Sequence, residues 1–178
     1  MTSIHRIEDG VTGGLTPEEF KAAFRQHPSG IAVITADAGQ GPAAMTASSV
    51  FSVSVEPPVL VFSISEMSSA APTLLSAETL VIHMLTAENL DLAILASTSG
   101  VDRFADTTIW DRLPSGEPYY TAAHAWVRGR VVDQMQIGNS TVVAVHALES
   151  NIPDDAAQTQ PLVYHNRTWH KLGESSKI

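Results

Sequence analysis

The sequence predicts a mainly β, barrel-like α+β domain, and three observations carry this prediction. Short apolar or alternating segments bounded by Gly, Pro and Asn recur along the chain, which is typical of strands joined by turns. Only a few short stretches carry helix-start signals. Strands and helices do not alternate regularly, as they would in a doubly wound parallel sheet. With 178 residues, 44% of them apolar, the chain can bury one core.

The polar N-terminus is interpreted as a mobile arm. It comprises residues 1–14 and ends in Gly13-Gly14. No repeat, low-complexity tract or linker interrupts the remainder, so residues 15–178 are expected to form a single domain.

A first helix is predicted after Thr16, whose hydroxyl can cap it. Pro17 suits the first helical position, and Glu19 completes a capping box. Phe20 and Phe24 lie one turn apart, so they are predicted to define the buried side of this helix.

Three strands are expected next. They are predicted at residues 31–35, from residue 43 onward and at residues 59–64, with a turn at residues 37–41. The third is a nearly continuous apolar run, which indicates a central strand packed on both faces.

The middle of the chain adds two helices and a strand. A short helix is expected at residues 72–76, a strand at 80–85 and a second helix after Thr86. In the second helix, Leu90, Ala93, Ile94 and Ser97 are predicted to share one face. Residues 97–115 form a long irregular connection, and loops of that length in compact domains are often functional.

Two long strands and a hairpin close the pattern. The strands are predicted at residues 123–136 and 141–148, joined near Gly138-Asn139. A polar surface loop is expected at residues 151–160. The final hairpin pairs residues 161–165 with 168–172 around Asn166-Arg167.

Composition excludes several classes of function. The 19 acidic and 10 basic residues give a formal charge of -9, which disfavours nucleic-acid and anionic-membrane surfaces. Without cysteine there is no disulfide, thiolate metal site or cysteine nucleophile. Neither a signal peptide nor an apolar run long enough for a membrane span is present, so a cytoplasmic protein is expected.

Small hydroxylated residues are the most informative local feature. They cluster at residues 45–49 and 63–69, on either side of a Glu-Pro-Pro turn. Short hydroxyls beside strand-end backbone can hydrogen-bond a planar, phosphorylated ligand without obstructing it. Serine-rich strands are equally common in antiparallel sheets with one wet face. The residues alone therefore leave a ligand site and an ordinary solvated sheet open.

Five segments in order resemble the flavin reductase-like family over residues 16–172. They are residues 24–35, 45–49, 63–69, 101–104 (Val-Asp-Arg-Phe, similar to a Gly-Asp-Arg-Phe loop) and 161–164. The resemblance implies an FMN-binding split β-barrel of Greek-key type. It further implies an NAD(P)H-dependent flavin reductase that transfers hydride from NADH or NADPH to FMN or FAD and supplies a flavin-dependent monooxygenase. A homodimer is implied as well.

The resemblance also assigns site residues. Those implied to contact the flavin are Met45, Thr46, Ala47, Ser48, Ser49, Ser63, Ser65, Ser68, Ser69, His83, Arg103, Phe104 and Tyr164. Those implied to contact the nicotinamide substrate are Gly138, Asn139 and Ser140. No catalytic acid or base and no metal ligand is expected, because the cofactor carries the hydride chemistry.

Two positions depart from the family pattern. Glu66-Met67 stands where a basic residue is frequent, so either Arg103 or an arginine of a partner subunit is expected to supply the positive charge for the phosphate. Gly138-Asn139-Ser140 stands where the family has Gly-Asp-His, so a hydroxyl replaces the imidazole. This change favours an alternative, a flavoprotein of the same fold that does not use NAD(P)H. A cofactor-free β-barrel interaction protein is the third hypothesis.

The remaining histidines and tryptophans give weaker predictions. His83 is interpreted as a cofactor contact or a satisfied structural residue. The spacing of His124 and His146 forms no metal triad, and His165 and His170 are expected at the surface. Trp169 is expected to pack under the barrel, whereas Trp110, with Phe104, is expected to line a pocket.

Overall fold

A computed structural model describes residues 3–7, 13–123, 125–154 and 159–178, with the backbone alone for residues 3–7. The first seven strands are β1 (Ser3–Ile7), β2 (Ser29–Gly30), β3 (Ala32–Asp37), β4 (Pro42–Ala47), β5 (Phe51–Val55), β6 (Pro58–Ser65) and β7 (Thr79–Met84). The others are β8 (Trp110–Arg112), β9 (Pro118–Tyr120), β10 (Ala125–Ile137), β11 (Ser140–Asn151), β12 (Leu162–His165) and β13 (Thr168–Lys171). The helices are α1 (Pro17–Arg25), α2 (Ala71–Ser76) and α3 (Leu90–Ser97).

One large sheet dominates the molecule and confirms the mainly β prediction. Its strand order is β4-β3-β7-β10-β11-β6-β5, and β1 runs parallel beside β10. The other pairs in this sheet are antiparallel. Two small sheets, β13-β12-β2 and β8-β9, flank it. No helix in the described part of the chain is long and apolar enough to cross a membrane.

Two larger apolar clusters and a smaller third one, made of Val81, Leu113 and Trp126, form the core of the described residues. The first lies between the curled sheet and α2, where Phe62, Leu74 and Ile82 are almost completely buried. The second lies under α3 and includes Val33 and Ala93. Burying side chains of this size stabilises the fold by about 1.5–3 kcal/mol each. Because both larger clusters contain residues of β3 and β4, this packing holds the ends of these strands in place.

Helix α1 begins as predicted but does not bury its aromatic face. The hydroxyl of Thr16 accepts from the backbone N–H of Glu19, and the Glu19 carboxylate accepts from Thr16 in return. Phe20 and Phe24 are 53% and 60% exposed, so the predicted buried side is wrong. Their rings pack on each other with centroids 4.6 Å apart, because no other described element covers them.

Other elements shift relative to the sequence prediction. In β6 only alternate side chains are fully buried, so this strand is not packed on both faces. In α3 the buried residues are Ala93 and Ala96, whereas Ile94 and Ser97 are exposed. The long connection of residues 97–115 contains strand β8.

The two ends of the chain differ in how well they were anticipated. Within the predicted arm, residues 3–7 form β1, although two isoleucines among polar residues give little strand signal; residues 1, 2 and 8–12 lie outside the described residues. The start of the domain at residue 15 stays a prediction. The C-terminal hairpin is confirmed: Asn166 and Arg167 have φ of 48° and 61°, the left-handed geometry of a tight two-residue turn.

Candidate functional site

The site begins at a seam in the barrel between β4 and β6. The β5–β6 ladder ends at the pair Phe51 and Val61. Two residues beyond this pair, Ser49 lies just before β5 and opposite Ser63 of β6. The Ser49 hydroxyl accepts from the backbone N–H of Ser63 at 3.0 Å and donates to the Ser63 carbonyl at 3.2 Å. A side chain thus takes over where backbone pairing stops, which leaves room between the strand ends for a ligand.

A cleft of about 630 Å³ opens at this seam, and we call it the hydroxyl cleft. Its volume lies within the roughly 300–1,000 Å³ common for small-molecule sites. The predicted residues that line it are Met45, Thr46, Ala47, Ser48, Ser49, Ser63, Ser65, Ser68, Ser69, Arg103 and Ser140. The fold therefore brings parts of three separate segments of the resemblance, residues 45–49, 63–69 and 101–104, and the more distant Ser140 to one place.

The serines at the far end of the cleft are arranged as hydrogen-bond donors. Ser65 and Ser68 each accept from a backbone N–H two residues later, at Met67 and Ala70. Ser69 accepts from the guanidinium of Arg103 at 3.3 Å. A hydroxyl that has accepted a hydrogen bond keeps its proton to donate. The three side chains therefore present O–H groups suited to the oxygens of a phosphate.

Arg103 is the one charged side chain among the described residues that line the hydroxyl cleft. Its guanidinium donates to the carbonyls of Ala44 at 2.8 Å and Thr98 at 3.0 Å, and the Tyr120 hydroxyl donates to the Arg103 carbonyl at 2.9 Å. Its Nε is buried and has no hydrogen-bond partner among the described residues. A buried donor without an acceptor is costly, so this arginine fits a site that a ligand anion completes.

The turn of the β10–β11 hairpin forms the rim of the cleft next to Ser65. Ser140 pairs with Ser65 in the β6–β11 ladder and faces the cleft. The carbonyl of Asn139 accepts from the backbone N–H of Glu66 at 2.9 Å, and Gly138 has a φ of 55° that a glycine adopts easily. Gly138 and Asn139 therefore hold the turn in place, and Ser140 alone of the three lines the cleft.

Two segment residues have roles that the sequence did not reveal. The Thr46 hydroxyl donates to the carbonyl of Ala93 in α3 at 2.7 Å, so it anchors the helix although the residue borders the cleft. Glu66 accepts from the side-chain amide of Gln136, which holds this carboxylate on the neighbouring hairpin. The expected contribution of Thr46 as a ligand hydroxyl is therefore reduced.

His83 is a core residue, and its predicted contact with the cofactor is wrong. It is completely buried, its Nδ1 lies 2.9 Å from the Val33 carbonyl, and its Nε2 accepts from the Tyr120 backbone N–H at 3.0 Å. Both ring nitrogens are used within the protein. Burial lowers the pKa of His83 to about 4, so the ring is neutral near pH 7.

Phe104 is also a core residue, which contradicts its assignment to the cofactor. It is 8% exposed and stacks on Tyr120 with ring centroids 5.3 Å apart. Trp110 packs edge-on against Phe104 and donates to its carbonyl, so it does not line the cleft either. Phe104 and Trp110 stand in a long connection without hydrophobic periodicity, so the sequence does not indicate that their rings pack in the core.

Tyr164 lies in a neighbouring groove and not in the hydroxyl cleft. Its ring packs against Trp169 at 4.7 Å, which confirms a packing role for that tryptophan. His165 lines the same groove and is half-buried, His170 is exposed, and His124 lies outside the described residues.

Sequence reasoning missed several lining residues. They are Met67, Ala96, Ser97, Ser99 and Gly100. Four of them follow one another closely at the end of α3 and the start of the long connection. The length of that connection was the only available signal, because small residues after a helix carry no chemistry of their own.

Comparisons with known proteins agree with this geometry. A family model described as a flavin reductase like domain matches residues 24–173. The chain is 39% identical over 163 residues to an NADH:FMN oxidoreductase of Rhodococcus qingshengii, covering 89% of this chain and 83% of that protein. It is 30% identical over 153 residues to the reductase component of an FADH2-dependent resorcinol hydroxylase of Rhizobium sp. strain MTP-10005, covering 84% and 83%. A crystal structure of a flavin reductase domain protein from Arthrobacter sp. FB24 superposes with a TM-score of 0.82 at 28% identity, covering 89% of this chain and 96% of that chain.

Proposed function

This chain belongs to the flavin reductase-like family, and we propose that the hydroxyl cleft is where it acts as an NAD(P)H:flavin oxidoreductase. The observation that carries this proposal is the convergence of Ser65, Ser68, Ser69 and Arg103 at one end of the cleft. These four donors suit the phosphate of FMN or the first phosphate of FAD. Arg103 is the cationic one, and its buried Nε–H is unpaired among the described residues.

The residues nearer the seam suit the ring of the flavin. Met45 and Ala47 are almost fully buried and offer apolar contact, whereas Ser48 and Ser49 offer backbone and hydroxyl groups to a polar ring edge. When bound, a flavin supplies the acceptor for a hydride from the nicotinamide. The protein contributes orientation and hydrogen bonds, and this chemistry requires no acid or base from the residues that line the cleft.

Ser140 is proposed to meet the nicotinamide at the rim of the cleft. Its hydroxyl can make one hydrogen bond to a carboxamide but carries no charge. The position is fixed by the β6–β11 ladder, so the contact needs no rearrangement of the turn.

The expected result is flavin-dependent oxidation of a reduced nicotinamide. Purified protein mixed with FMN or FAD and with NADH or NADPH should accelerate the loss of absorbance near 340 nm, because both rings can occupy adjoining space at the seam. Stopped assays without flavin and without protein provide the background. A rate equal to the background with both donors and both flavins contradicts the proposal.

A second candidate is a flavoprotein that does not use NAD(P)H, and the replacement of an imidazole by Ser140 favours it. This candidate is favoured if the protein keeps its yellow flavin through gel filtration but oxidises neither NADH nor NADPH. The reductase with flavin as its substrate should instead lose its colour on gel filtration. We propose that the reduced flavin so released supplies a separate flavin-dependent monooxygenase, as the relationship to a hydroxylase reductase component supports.

We further propose a homodimer formed through an apolar face centred on β5. The edge strand exposes Phe51, Val53 and Val55 by 61%, 58% and 87%. Beside them lies an apolar hollow of about 390 Å³ whose lining includes Leu60 and Met84. An exposed apolar strand at a sheet edge aggregates unless a partner covers it.

Sedimentation equilibrium should therefore give a mass near twice the 19.0 kDa of the chain. Val53→Lys is expected to shift the population toward the monomer, because a buried charge at a subunit interface is costly. Ser150→Lys, on an exposed stretch of β11, is the matched control and should leave the mass unchanged. A wild-type mass near that of one chain at micromolar concentration contradicts the dimer.

A further inference from the structure

A second depression lies against the hydroxyl cleft, and we call it the basic groove. Its volume is about 820 Å³, and it runs between α1, the start of β5 and the turn of the C-terminal hairpin. The basic groove and the hydroxyl cleft share Ser48, Ser49 and Ser63. A ligand longer than a mononucleotide can therefore extend from one into the other.

The charge of the basic groove is opposite to that of the protein. Lys21, Arg25 and Arg167 line it, and no Asp or Glu is among its described lining residues. Three of the 10 basic residues of a chain with formal charge -9 thus meet in one depression. Among the described residues none of the three side chains forms an ion pair. Unpaired cations gathered on an acidic protein point to an anionic ligand.

A backbone hydrogen bond brings the segments of two of these cations together. The N–H of Asn166 donates to the Arg25 carbonyl at 3.1 Å, which ties the end of α1 to the hairpin turn. Arg167 follows in that turn with a φ of 61°. The backbones of the two arginines therefore belong to elements that are hydrogen-bonded to each other, which keeps both residues at the groove.

Aromatic rings form another wall of the basic groove. Phe20 and Phe24 stand exposed on α1 with ring centroids 4.6 Å apart, and both line the groove. Exposed aromatic rings next to cations are the combination that binds nucleotides, because a base stacks on the ring while its phosphates meet the charges.

We propose that the basic groove binds the adenosine diphosphate half of the nicotinamide donor, whose nicotinamide half lies in the hydroxyl cleft. This inference rests on the proposed reductase function. Lys21, Arg25 and Arg167 receive the pyrophosphate, and the adenine stacks on Phe20 or Phe24. FAD does not fit this arrangement, because its first phosphate is placed at the serines and Arg103 at the other end of the hydroxyl cleft, and its second phosphate is bonded to the first.

The test compares whole ligands with truncated ones. The variant Lys21→Gln/Arg25→Gln removes two charges from exposed positions, so the fold should be kept. If the donor extends into the groove, KM for NADH rises by roughly 10-fold, whereas KM for reduced nicotinamide mononucleotide and kcat stay unchanged. Kd for FMN and Kd for FAD should both stay unchanged, because neither flavin reaches the groove. A raised KM for NADH alone supports the inference, and a raised Kd for FAD contradicts it.

The matched control is Arg130→Gln, which removes an exposed charge on β10 outside the groove and should leave all of these constants unchanged. Equal constants in the groove variant and wild type overturn the inference. So does a changed sedimentation mass in the groove variant, because the groove would then belong to a subunit interface. Wild-type protein that oxidises neither nicotinamide substrate refutes the reductase itself, whereas equal efficiency with whole and truncated ligands refutes the basic groove alone.

Discussion

Replacing Arg103 with methionine is expected to weaken FMN binding by roughly 100-fold. Methionine keeps most of the side-chain length but removes the positive charge and every N–H group. The cleft then loses its one charged lining residue among those described, and the carbonyls of Ala44 and Thr98 lose their donor. Quenching of FMN fluorescence on titration with protein measures the change directly.

Two further variants separate charge from geometry at this position. Arg103→Lys keeps the charge but cannot reach two carbonyls and a phosphate from one flat group, so it should recover only part of the affinity. Arg130→Met removes an exposed arginine elsewhere and serves as the control. An Arg103→Met protein that melts like wild type and binds FMN with unchanged affinity would show that the phosphate lies elsewhere.

Replacing Gly129 with alanine is expected to lower the free energy of unfolding by about 2–3 kcal/mol. Gly129 lies in β10 at an irregularity of its pairing with β11. A Cβ there would lie 2.3 Å from Cγ1 of Val145 and 2.9 Å from the His146 carbonyl oxygen. Val145 is fully buried and the carbonyl belongs to a central strand, so neither can move away cheaply.

Thermal unfolding should show this loss as a fall in Tm of roughly 4–12 °C. Gly30→Ala is the matched control, because nothing lies within 4 Å of the added Cβ and its backbone is not left-handed. That variant should stay within about 0.5 kcal/mol of wild type. Both proteins are compared at the same concentration, because the proposed dimer would make stability depend on protein concentration. Equal Tm values for the two variants would mean that the sheet opens at Gly129 without cost.

The sequence predicted the fold wherever local chemistry decides it. The capping box of Thr16 and Glu19, the left-handed turn at Asn166-Arg167 and the long β10–β11 hairpin all follow from short-range patterns. The structure brings the hydroxylated segments together around one cleft, because each lies at or just beyond a strand end. Their contact with a flavin stays a prediction.

The failures share one physical cause, which is that burial is decided by elements distant in sequence. His83 is enclosed by β3 and by Tyr120, and Phe104 is stacked beneath the same tyrosine. Conversely, Phe20 and Phe24 have the spacing of a buried helix face but stay mostly exposed, and their described ring contacts are with each other and with His27. No local pattern reports which tertiary neighbour is present.

In the turn at residues 138–140, the backbone contacts that stabilise the fold are separate from the side chain that faces the electron donor in the proposed function. Its backbone is held by the pairing of Ser140 with Ser65 and by the hydrogen bond from the Glu66 N–H to the Asn139 carbonyl. The side chain at position 140 lines the cleft and belongs to neither of the two larger apolar clusters. Evolution can therefore exchange that single side chain without a compensating mutation in the barrel. A substitution at position 140 can therefore change the choice of electron donor with little effect on Tm.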